Sequence, residues 1–72
     1  MEDFYFTQRE KTVISLVMEG LTNREIGERL FISVHTVKSI MENIYYKTEC
    51  HNRVQLIIFV LKNNVEIETS LL

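Results

Sequence analysis

Proline is absent from the 72 residues and glycine occurs only at Gly20 and Gly27, so backbone breakers cannot divide this chain into its elements. The punctuation has to come from capping side chains. A single cysteine, Cys50, excludes an internal disulfide and cannot assemble the usual structural zinc sets, so a reducing compartment suits the protein. Only His51 beside it would favour a thiolate, and the thiol is expected to be a half-buried small group in a loop. No stretch approaches the roughly 18 apolar residues of a membrane span. The start Met1-Glu2-Asp3 is acidic where a secretory leader is basic, and a cytoplasmic location is expected.

An excess of positive charge is also missing: eight Lys and Arg stand against ten Asp and Glu, a formal net charge of −2. That balance argues against a nucleic-acid partner, which ordinarily meets a basic face. The distribution softens the objection. From Thr22 to Arg53 there are five cations (Arg24, Arg29, Lys38, Lys47, Arg53) against four carboxylates (Glu25, Glu28, Glu42, Glu49), so the negative charge lies mostly in the flanks. Catalytic groups are scarce as well: His35, His51, Cys50, Ser33 and Ser39 form no recognisable set of nucleophile, base and orienting residue. Neither enzyme activity nor a cofactor or metal is expected.

What is present is a helical pattern. One domain over 1–72 is expected, with its core in 6–62 and a C-terminal extension in 63–72. A chain this short hides only about 60% of its unfolded surface, so pairing with a second copy would help it. Thr7 with Glu10 makes a capping box, the apolar run Val13 to Met18 follows, and Gly20 is a natural terminator, predicting a first helix from Gln8 to Glu19. Thr22 with Glu25 repeats the box and opens a short second helix to Leu30. Gly27 inside it lowers helix propensity by about 1 kcal/mol relative to alanine, which points to a close approach by a neighbouring helix.

A tight turn at Phe31-Ile32 leads to Ser33, the N-cap of a third helix reaching Tyr46 or Lys47. Asn52 is a further cap, and the β-branched run Arg53 to Lys62 reads as a fourth helix by its length and its cap, although its composition would also suit a strand. Residues 63–72 carry no cap and are expected to fray or to dock. The fold class is therefore all-α, with four helices.

The third helix carries the chemistry. A 100° wheel places Val34, Val37, Ile40, Met41 and Ile44 on one stripe facing the core. His35, Ser39, Glu42 and Tyr46 line the opposite side, with Lys38 and Asn43 on its shoulders. Lysine bonds guanine, asparagine bonds adenine and glutamate accepts from cytosine in a major groove, although a plain solvent face fits this pattern equally well. A short capped helix, a tight turn and a longer amphipathic helix together make a helix-turn-helix unit, whose second member enters the groove while the first crosses the backbone. Thr22, Asn23 and Arg24 then stand at a helix N-terminus, where free N–H groups attract phosphate; ordinary capping also accounts for Thr22.

In order along the chain, Phe6-Thr7-Gln8-Arg9-Glu10, Val13 to Gly20, Leu21-Thr22-Asn23-Arg24-Glu25-Ile26-Gly27, Ile32-Ser33-Val34-His35-Thr36-Val37-Lys38, Asn43-Ile44-Tyr45-Tyr46-Lys47 and Asn52-Arg53 resemble the LuxR/GerE-type DNA-binding domain. The resemblance covers Phe6 to Leu61. It implies a four-helix, helix-turn-helix bacterial transcriptional regulator that reads duplex DNA with helix 3 and pairs through helix 4. Carried over position by position, it puts Thr36, Lys38 and Lys47 on the DNA, and Ser39 and Glu42 at base-reading positions. The chain departs from the family pattern at Ile40 (histidine is usual), Gly27 (alanine), Thr48 (leucine) and the acidic Glu42.

On helix 4, Leu56, Ile57 and Val60 suffice to close the core, which leaves Val54, Ile58 and Leu61, with Phe59 beside them, as an apolar surplus of the kind that marks an interface. A tail folding back through Val65 and Ile67 is the alternative cover. A symmetric homodimer would set two reading helices about 34–36 Å apart on an inverted-repeat site. RNA polymerase is a further candidate partner. The competing reading is an interaction module that keeps this fold and has lost DNA binding.

Overall fold

Each helix begins where a short polar side chain replaces a missing backbone partner. The computed structural model describes residues 5–65, and in it α1 spans Gln8–Met18, α2 Asn23–Leu30, α3 Val34–Thr48 and α4 Arg53–Asn63, with no strand among the described residues. Thr7 accepts from the Glu10 amide at 3.1 Å while Glu10 accepts from the Thr7 amide at 2.9 Å. Thr22 and Glu25 do the same at 3.1 and 2.8 Å. Ser33 accepts from the Thr36 amide at 3.0 Å and Asn52 from the Gln55 amide at 2.9 Å. The fourth element is helical, as its cap requires, and the strand alternative falls.

The helix ends are less conventional. Gly20, at φ +92°, closes α1 with paired bonds from the Gly20 amide to Val17 O (2.9 Å) and from the Leu21 amide to Leu16 O (3.2 Å). The other three ends put Phe31 (φ 60°), Glu49 (φ 59°) and Asn64 (φ 51°) in the same left-handed region. For a residue with a Cβ that conformation costs roughly 1–2 kcal/mol.

Val13, Ile14, Leu16 and Val17 of α1 meet Ile26 of α2, Val37, Met41 and Ile44 of α3, and Leu56 and Val60 of α4, with Phe6 and Cys50 closing the cluster. Two residues of the expected α3 stripe depart from this. Ile40 is half-buried, and Val34 is 42% exposed. The first turn of α3 presses its backbone against α2, so the Val34 side chain is left outside. Cys50 is buried more deeply than expected, its thiol donating to the Thr48 carbonyl at 3.8 Å. The segment after α4 is ordered as far as Val65, whose amide reaches Val60 O at 3.3 Å and whose side chain packs on the core. Ile67 and the rest of the expected extension lie outside the described residues.

Gly27 needs its missing Cβ, and the close neighbour is the turn rather than a helix flank. A Cβ there would sit 2.7 Å from the Ile32 carbonyl oxygen and 3.5 Å from Ser33 C and Val34 N. Ile32 in turn donates its amide to Gly27 O at 2.9 Å, so this turn is pinned from both sides. Gly27→Ala gains about 1 kcal/mol of helix propensity but forces the turn to shift, an overpacking penalty of about 1–3 kcal/mol. We expect a net loss of stability in urea denaturation; a variant more stable than the wild type would show that the turn yields freely.

Candidate nucleic-acid interface

The side of α3 away from the core is bare. Val37, Met41 and Ile44 are buried, whereas His35, Thr36, Lys38, Ser39, Glu42 and Asn43 are all exposed and Tyr46 is 86% exposed. Thr36 Oγ1 lies 3.0 Å from Ser33 Oγ, so the hydroxyl of this residue is oriented by the helix cap. The other polar side chains of this face make no bond to the described protein. The result is a mixed row of donors and acceptors about four turns long on a helix anchored along its opposite side.

At the start of α2, Thr22 and Arg24 are exposed and Asn23 is half-buried. The Thr22 hydroxyl is used by the capping box, as expected from its position. Arg24 Nε stands 3.8 Å from Glu28 Oε2, both side chains well exposed, a pairing too loose to withhold the guanidinium from a ligand. Asn23 Oδ1 accepts from Arg53 Nη1 at 3.1 Å, and Arg53 Nη2 donates to the Leu21 carbonyl. The sequence reading gave Arg53 no role. The available signal was a cation on the first residue of a helix, where the dipole disfavours it unless another partner holds it.

Lys47 differs most from its expected role as a DNA contact. Its Nζ donates to Glu10 Oε1 at 2.6 Å and to the Tyr5 carbonyl at 3.0 Å, and it lies 5.8 Å from the Phe6 ring centre. The ammonium therefore ties the end of α3 to the start of α1. Glu10, buried and already half of a capping box, was also missed as an internal partner. Burial pushes its carboxyl up, but the hydrogen bond from Lys47, the Thr7 amide, the nearby Lys47 charge and the Thr7 side chain outweigh that and hold it below the ordinary value of 4.5.

No group of three His, Cys, Asp or Glu among the described residues could hold a metal ion. The expected pairing residues of α4 share one stripe: Val54, Ile58 and Leu61 are 65%, 49% and 65% exposed, while Leu56 and Val60 are buried and Phe59 is half-buried. No helix among the described residues is long and apolar enough to cross a membrane.

This geometry coincides with a family match. Residues 5–60 fit the model described as bacterial regulatory proteins, luxR family. The chain belongs to this family. Similar proteins include the probable transcriptional regulator ycf29 of Cyanophora paradoxa, 40% identical over 60 residues covering 83% of this chain and 29% of that protein. The transcriptional regulatory protein LiaR of Bacillus subtilis is 41% identical over 59 residues, 82% of this chain and 28% of its own. The transcriptional regulatory protein YhcZ of the same organism is 40% identical over 70 residues, 96% of this chain and 33% of its own. The chain spans about a third or less of the length of these relatives. The LuxR family is one of DNA-binding regulators and not of enzymes, in keeping with the lack of a catalytic set in this LuxR-type domain.

Removing the Lys47 ammonium strands a buried carboxylate. Lys47→Ala is expected to lower stability at pH 7 by about 2 kcal/mol, the scale of a hydrogen bond to a charged group. Because the folded Glu10 carboxyl is held low, its contribution is full above the ordinary value and is lost as pH falls through the lower folded one. Urea denaturation at pH 7 and pH 3 should therefore show the gap between wild type and variant closing in acid. An equal gap at both would mean that Lys47 acts by packing alone.

Proposed function

We propose that this LuxR-type domain binds duplex DNA with α3 in the major groove and α2 crossing the backbone, and that it regulates transcription as a homodimer. One observation carries this reading: the polar side of α3 is uncovered along its length while its opposite side is locked into the core. A major groove about 12 Å wide admits such a helix. Lys38, Ser39, Glu42 and Asn43 then face base edges, with His35 and Thr36 at the leading end. Asn23, Arg24 and the first free amides of α2 meet phosphates, with Thr22 holding that helix end in place. The third donor of Lys47 is left for a phosphate at the far end of α3.

The stripe Val54, Ile58 and Leu61 serves as the pairing surface, and two copies related by a two-fold axis read an inverted repeat. The buried single thiol suits the reducing cytoplasm, and RNA polymerase is the partner through which a bound dimer would act. These readings extend to this chain what its relatives' names say of them.

The alternative, an interaction module without DNA binding, is favoured by Glu42 on the reading side and by the inward use of Lys47. Fluorescence anisotropy on duplex DNA across about 50–200 mM salt separates the two, since each phosphate contact adds about 0.9 to the slope of log affinity against log salt. A steep slope is expected, and undetectable binding at low salt would leave only the alternative. Lys38→Ala should weaken binding by at least about 1 kcal/mol, one good base contact, with circular dichroism unchanged; wild-type affinity would take α3 out of the interface. Ile58→Glu should yield a monomer by sedimentation at concentrations where the wild type pairs. A dimer that survives the change would place the pairing surface elsewhere.

A further inference from the structure

We infer that Arg53 is a positioning residue for the DNA-backbone contact, acting by turning the Asn23 side-chain amide so that its NH2 faces phosphate. This rests on the DNA-binding reading above. A guanidinium carries donors only, so the Asn23 amide can meet it only through Oδ1, which it does at 3.1 Å. The planar amide then directs Nδ2 away from Arg53. No residue among those described accepts from Nδ2, although Asn23 stands beside the exposed Thr22 and Arg24.

The orientation is fixed because the guanidinium is itself held twice. Its second nitrogen donates to the Leu21 carbonyl, so the planar fork grips the chain on both sides of the Thr22 cap. A lysine offers one ammonium at the end of a flexible stem and lacks the rigid fork that fits both oxygens. Without the grip the amide is free to rotate and to offer its oxygen outward, where it repels a phosphate. Arg53 itself is half-buried and directed into this contact, so its own charge is engaged within the protein. It is also the first residue of α4, next to Val54, so one side chain joins the helix of the pairing stripe to the helix that meets the backbone.

The test is anisotropy with a mixed-sequence duplex across about 50–200 mM salt, with thermal melts of every variant. Arg53→Lys, which keeps the charge, should bind about fivefold more weakly, the scale of one net hydrogen bond. Its salt slope should fall by close to one contact, about 0.9. Asn23→Ala should match it, and the double variant should be no weaker than either single one, because both remove the same contact. Asn23→Asp provides the control that stays folded. It keeps the acceptor for Arg53 and its melting temperature should be no lower than that of the wild type, yet it should lose at least as much affinity as Asn23→Ala because an oxygen replaces the outward donor.

Wild-type affinity in Asn23→Asp, or losses from Arg53→Lys and Asn23→Ala that add in the double variant, would overturn the positioning role while the DNA-binding reading stands. A wild-type protein with no salt-dependent binding would overturn both.

Discussion

The approach of the Ile32 carbonyl to Gly27 is the constraint on which the rest of this architecture turns. With no side chain at Gly27 the connection between α2 and α3 can fold flat against α2, and the two helices are set at one angle by backbone contact and not by the packing of flexible side chains. Ile26 and Val37 then meet in the shared core, and Lys38, Ser39 and Glu42 are turned away from it without any further device. A bulkier turn would rotate α3 about its own axis or lift it off the core, and each residue of the polar row would move with it.

The charges show a second economy. Of the five cations between Thr22 and Arg53, Lys47 and Arg53 are engaged inside the protein, and Arg24 leans toward Glu28. A domain with so few free cations and a net charge of −2 attracts any duplex only weakly. In the proposed complex, affinity must therefore come from shape, from base contacts along α3 and from two copies acting together. The binding would be selective because its sequence-independent part is small.

Much of this was legible in the residues because local chemistry and global fold agree. Thr7-Glu10, Thr22-Glu25, Ser33 and Asn52 mark four helix starts with hydrogen bonds spanning only three residues, and such bonds can be read from a string of letters. The bare row on α3 and the stripe on α4 follow from helical periodicity in the same way. What was not legible depends on partners distant in the sequence. Lys47 meets Glu10 across 37 positions and Arg53 meets Asn23 across 30, and no spacing rule announces either contact. Val34 failed for a related reason: the wheel gives a direction, but not whether a neighbour extends far enough to cover it. Gly27 lay between these cases, since its type signalled crowding and only the coordinates identified the carbonyl responsible.

The left-handed ends at Phe31, Glu49 and Asn64 have a bearing on heat tolerance. Three of the four helix junctions hold a strained side chain where glycine would rest without strain, and Phe31 and Glu49 project into solvent there. In so small a domain such strain is a sizeable fraction of the total stability. The junctions and not the core thus set the ceiling on its working temperature, and relieving Glu49, which lies outside the polar row of α3, would raise that ceiling while leaving the reading side untouched.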